Sequence, residues 1–147
     1  MKLRVVVWLL MLSLLPASGL VLAEEGESFV VVVNASNEVS EMSPDAVARL
    51  FLRKARAWRG GRTAVPVDLS LASPLRVAFS RKVLGLSPAE VRDYWMKQTL
   101  SGGDVPPAIR PSEREVLDFV KGEAGGIGYV SADTKLPAEV KAVKVTQ

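Results

Sequence analysis

The chain has no cysteine and no histidine among its 147 residues. Without cysteine there are no disulfides, no thiol nucleophile and no lipid-anchored lipoprotein. Without histidine there is no imidazole base, and with neither residue there is no His/Cys metal site. No carboxylate pair stands out at a spacing that suggests acid–base work. The chain is therefore expected to be no enzyme, with no catalytic residue, metal or cofactor. Aromatics are scarce, at 6%; Tyr94 and Trp95, on one helical stripe, are expected to be core. A large excess of one charge is also missing, and nucleic acid is not an expected partner.

Long apolar runs are rare too. The one present, Val5 to Leu15, follows Lys2 and Arg4 and is followed by Pro16 and Gly19. A short apolar run behind a basic start reads as a secretory signal, and it is too short to span a bilayer comfortably. Val21-Leu22-Ala23 places small residues where a signal peptidase reads, so cleavage is expected after Ala23. Removing 23 of the 147 residues leaves 124, one α/β domain by length, over 24–147. Losing Lys2 and Arg4 leaves 17 basic against 16 acidic side chains. The expected destination is the periplasm or the exterior.

Within that chain, Phe29–Val33 (FVVVV) is continuously apolar and β-branched, as in a strand buried on both faces. Shorter strands are predicted at Val65–Val67, Ile127–Val130 and Val140–Val145. Helices are predicted over about Pro44–Lys54, Pro74–Leu84, Pro88–Leu100 and Glu113–Lys121. This alternation predicts a three-layer α/β lobe with a mixed, mostly parallel sheet flanked by helices. Arg49, Arg53, Lys54, Arg56, Arg59 and Arg62 form a basic run with no acid between Asp45 and Asp68. It reads as a solvated basic face, or as a docking patch for an acidic partner or anionic headgroups.

Four helices begin on serine, at Ser43, Ser73, Ser87 and Ser112, and serine caps free helical N–H groups. Three of them carry acid in the first turn: Asp45, Glu90, and Glu113 with Glu115. The helix at Ser73 carries Arg76 instead, against the helix dipole. Asp68–Ala72 reads as the loop leading into it. Two readings follow. Arg76 reaches solvent or pairs with Asp68, or it holds an external anion beside the helix start.

Three segments together resemble the phosphate-type substrate-binding proteins of ABC transporters. VVVVNASNEVSEMSPDAVARLF (Val30–Phe51), followed by Trp58 and Gly60, is similar to that family's strand–loop–helix. PVDLSLASPLRVAF (Pro66–Phe79) resembles its ligand loop, and GGIGYV (Gly125–Val130) its Gly-x-Ile-Gly-Tyr-Val strand. The resemblance implies one lobe of the type II periplasmic binding protein fold and a non-catalytic binding role. The site it implies is Ser73, Arg76 and Asp68, with Tyr129 and Ser131 on the same sheet edge. Partners on this reading are phosphate or another small anion, an envelope or ABC-transporter protein, or a second copy of the chain. The chain departs from the family pattern where it has Leu69 and Leu71 at the family's Arg and Asp, Pro74-Leu75 at its Gly-Thr, and Arg53 in place of a glycine. Leucines supply no charge-assisted bonds to phosphate. The alternative is an interaction module that has lost small-ligand binding.

Overall fold

The computed structural model describes residues 27–146, and the predicted signal segment and its cleavage point lie outside them. Six strands form one sheet: β1 (Phe29–Asn34), β2 (Glu41–Met42), β3 (Val65–Leu69), β4 (Ala108–Arg110), β5 (Gly126–Ser131) and β6 (Val140–Val145). The strand order is β2-β6-β1-β5-β3-β4. β1 runs antiparallel to both its neighbours, β5 and β6, while the pairs β3–β5, β3–β4 and β2–β6 are parallel. The sheet is therefore mixed. Its valine-rich centre is β1, with Val31, Val32 and Val33 fully buried.

Helices cover both faces, which is why these central strands carry no polar face. They are α1 (Pro44–Phe51), α2 (Pro74–Phe79), α3 (Pro88–Leu100) and α4 (Glu113–Gly122). Successive residues of β5 show the two layers. Above Gly128 lie Val116 and Val120 of α4. Tyr129, pointing the other way, stacks on Phe79 of α2 at 3.9 Å and meets Phe51 of α1 at 6.0 Å.

Element boundaries differ from expectation in three places. α1 stops at Phe51 because Arg53 takes a left-handed conformation, φ 58. The second helix does reach Leu84, but Ser80–Leu84 is a π-helical turn closed by Gly85 at φ 67. β3 runs on through Asp68 and Leu69, both expected in a loop, because Leu69 pairs with Arg110 of β4. β2 and β4 were not expected at all.

The serine caps also divide. The hydroxyls of Ser43, Ser87 and Ser112 accept bonds from Ala46, Glu90 and Glu115. Ser73 makes no side-chain cap; its ψ is 122, against 155 at Ser43 and 160 at Ser87. A capping hydroxyl contributes about 1 kcal/mol. Ser87→Ala and Ser112→Ala are each expected to cost about that much in urea unfolding, and Ser73→Ala close to nothing.

Candidate functional site

β3 and β5 run parallel, so Leu69 and Ser131 end at the same edge of the sheet, beside Phe29 at the start of β1. Strand carboxyl ends are where open α/β sheets place ligands. Asp68, Arg76 and Tyr129 come together there, inside the protein. Asp68 and Arg76 are each 7% exposed and Tyr129 is fully buried. The Arg76 guanidinium lies 3.0 Å from the Asp68 carboxylate and donates to the Leu69 carbonyl at 2.9 Å. The Tyr129 hydroxyl donates a short hydrogen bond to Asp68 Oδ1, which also accepts the Leu69 N–H at 2.8 Å.

This triad answers the choice left open for Arg76: its cation is used internally. A guanidinium on the first turn of a helix is unfavourable, and the buried carboxylate supplies the missing counter-charge. Burial pushes the Asp68 carboxyl above its ordinary range, against the opposing pull of Arg76, the Tyr129 hydroxyl and the Leu69 N–H. Burial and the Asp68 charge push the Tyr129 phenol up as well. Tyr129 therefore keeps its proton and acts as a donor.

Ser73 stands at the start of α2, partly exposed, with its hydroxyl unused as a cap. Ser131 is drawn to a different partner. Its N–H and hydroxyl donate to Glu113 at 2.7 and 2.9 Å, and Thr134 donates to the same carboxylate at 2.9 Å. Glu113 and Thr134 were not foreseen. The only signal was the acid at the first turn of α4, which reads equally well as ordinary helix chemistry. Partial burial raises the Glu113 carboxyl, but the three donors outweigh it and hold the group below its ordinary range.

A depressed carboxylate stabilises the fold above its unfolded value, near 4.5, and loses that effect as pH falls through the folded value. Glu113→Gln is accordingly expected to cost stability at neutral pH. The gap from the native chain should narrow as the pH falls below that folded value and the carboxyl takes up its proton. Urea midpoints at neutral and acid pH check this.

Around the triad, the loop out of β3 carries an apolar side chain. Leu71 is 60% exposed, and Ile109 on the neighbouring edge strand β4 is 47% exposed. The backbone joins the two segments: the Ser70 N–H donates to the Arg110 carbonyl at 3.0 Å.

The opposite edge of the sheet, at the carboxyl end of β1, is different in character. An open cleft of about 1000 Å³ lies there between the 36–43 loop and the 55–62 segment. Three members of the basic run, Arg49, Arg59 and Arg62, line it, together with Trp58. Of the rest of the run, Arg56 pairs with Asp104 at 2.6 Å, and Arg53 donates to the Ala64 carbonyl at 3.3 Å.

The chain is thus a mixed sheet with helices on both faces and a buried polar triad at its strand ends. Comparison with solved structures gives the same fold. The chain matches a phosphate ABC transporter substrate-binding protein with bound phosphate from Clostridium perfringens, at TM-score 0.64 and 20% identity. That match covers 81% of this chain and 45% of the other. It also matches an ABC-type phosphate transport receptor from Vibrio cholerae at TM-score 0.63 and 16% identity, covering 81% and 46%. PstS from Borrelia burgdorferi matches at TM-score 0.62 and 9% identity, covering 81% and 47%. The chain thus spans less than half the length of these proteins. No family model and no curated protein matches it.

Proposed function

We propose that the chain is a non-catalytic recognition lobe of the periplasmic receptor type. It acts at the cell envelope after its signal segment is removed. Its Leu69–Ser73 loop and edge strand β4 dock a protein there, in place of tight anion capture. The observation that carries this is the buried Arg76–Asp68 pair. The Arg76 cation is neutralised within the protein, so an incoming phosphate would have to compete with Asp68 for it. The residues that do face outward, Leu71 and Ile109, are apolar. Apolar side chains on an edge strand and its flanking loop suit a protein surface. Among the described residues no helix is long and apolar enough to cross a membrane, so an envelope role would rest on docking.

A photo-crosslinking residue placed at position 71 in cells tests this. The expected result is a discrete protein adduct, an envelope or transporter protein or a second copy of the chain. The same probe at the solvent-facing position 97 should give none. No adduct at 71, or equal adducts at both positions, would overturn the reading.

The free hydroxyl of Ser73 favours a second reading. It leaves the first turn of α2 without a side-chain cap, and a small anion such as phosphate would find a donor hydroxyl there. With the Arg76 cation already paired, such binding would be weak, with a constant of about 10 mM or above.

A further inference from the structure

Among the described residues, the large apolar side chains left exposed are Leu71, Met96, Leu100, Val105 and Ile109. Four of them follow one another along the chain from the last turn of α3 into β4. The fifth, Leu71, is brought to β4 by the bond from the Ser70 N–H to the Arg110 carbonyl. Exposed apolar side chains are ordinary when scattered; gathered along one strip they mark a contact surface.

The strand register explains why the strip is bare. Ala108 pairs with Val67, Ile109 with Asp68 and Arg110 with Leu69. Partners in register share a face of the sheet, and successive residues alternate between faces. Val67 stands with Val116 of α4 around Gly128, and the Arg110 guanidinium lies 5.1 Å over the Phe119 ring of α4. Ile109 therefore points the other way, with Asp68, which Arg76 of α2 holds. The helix packed on β4 is α4, on the opposite face, while α3 packs on the π-helical turn Ser80–Leu84. β4 is also the last strand of the sheet, so its outer edge has no neighbour.

The charges among these side chains are matched within the chain. Arg56 pairs with Asp104 at 2.6 Å and Arg92 with Asp93 at 3.6 Å. A charged partner finds little there to recognise, whereas two identical strips can meet without opposing like charges. The area is sufficient as well. Each large aliphatic side chain offers roughly 100 Å² to a partner. The strip then supplies about 500 Å² on one copy and about 1000 Å² on a pair, before backbone and rim are added, which is where specific interfaces begin.

We propose that two copies of the chain pair through this strip about a twofold axis, the same patch on each copy meeting the other. This rests on the docking reading above and names its partner. Lys97 lies about 100° round α3 from Met96, to the side of the strip.

Sedimentation equilibrium of the purified protein over about 1–200 µM tests this. The expected result is a dimer with a dissociation constant of about 10 µM or below. Leu100→Lys and Ile109→Lys each place a charge at an exposed position, and each should weaken pairing at least about tenfold. Their melting at the dilute end of the range should match that of the native chain, which separates lost pairing from lost folding. Lys144→Ala, on β6 near the other edge of the sheet, should leave the dimer intact. A monomer across the whole range, or a dimer indifferent to both lysines, would overturn the proposal. So would an adduct from position 71 to a different protein on a chain that sediments as a monomer, an outcome that leaves the docking reading standing.

Discussion

Asp68→Ala is expected to destabilise the fold by about 3–5 kcal/mol, a fall in Tm of roughly 10–20 °C. The substitution leaves the Arg76 guanidinium buried with only the Leu69 carbonyl as partner, and strips the Tyr129 hydroxyl of its acceptor. An unpaired buried charge is among the costliest single defects in a protein. Removing both charges is a different matter. Asp68→Leu with Arg76→Met takes away the carboxylate and the cation together, and with them the cost of dehydrating each. The double variant should be near neutral, or more stable than either single variant by several kcal/mol. Urea unfolding of Asp68→Leu, Arg76→Met and the double closes a cycle that isolates the pair. If Asp68→Ala costs less than about 1 kcal/mol, the pair is behaving as an exposed one, and the internal neutralisation of Arg76 fails.

Gly125→Ala should be as damaging, for a purely steric reason. A Cβ at Gly125 would fall on the backbone carbonyl of Thr63. That carbonyl cannot swing aside cheaply, because the chain around it is tied down: Val65 N–H and the Trp58 indole both donate to the Gly125 carbonyl, at 2.9 and 3.0 Å. Either the β3–β5 junction opens or the 58–64 segment moves. Both outcomes cost several kcal/mol and disturb the Trp58 wall of the neighbouring cleft. Gly122→Ala is the matched control. A Cβ there meets nothing within 4 Å, and alanine favours the end of α4, so no loss beyond about 0.5 kcal/mol is expected. Thermal melts of the two variants side by side check the contrast.

Much of this architecture is written locally in the chain. FVVVV at β1 and GIGYVS at β5 can only be buried strands, and serine followed by an acid-rich first turn marks the starts of α1, α3 and α4. β2 and β4 are two and three residues long, too short for any periodic pattern, and they exist because β6 and β3 offer them an edge. α1 stops at Phe51 because Arg53 is left-handed, a conformation arginine rarely takes, so the chain carries no local sign of the stop. The triad was only half legible. Asp68 and Arg76 are close in sequence, and their pairing was one of two open readings. Tyr129, sixty-one residues beyond Asp68, joins them only because β3 lies beside β5. Asp68 looked like loop because a charge inside a strand is disfavoured unless a buried partner awaits it. Ser131 looked available because nothing near it in sequence announces Glu113, eighteen residues away.

Arg76 is neutralised from within by Asp68, so its guanidinium is not free for an anion at the start of α2. The most direct measurement is the thermal unfolding of the protein with and without phosphate at about 10 mM. The expected shift is at most about two degrees, because binding with a constant near or above that concentration adds no more than about 0.4 kcal/mol. A shift of several degrees, saturating at lower phosphate and lost in Ser73→Ala, would contradict it and make the start of α2 a genuine anion site.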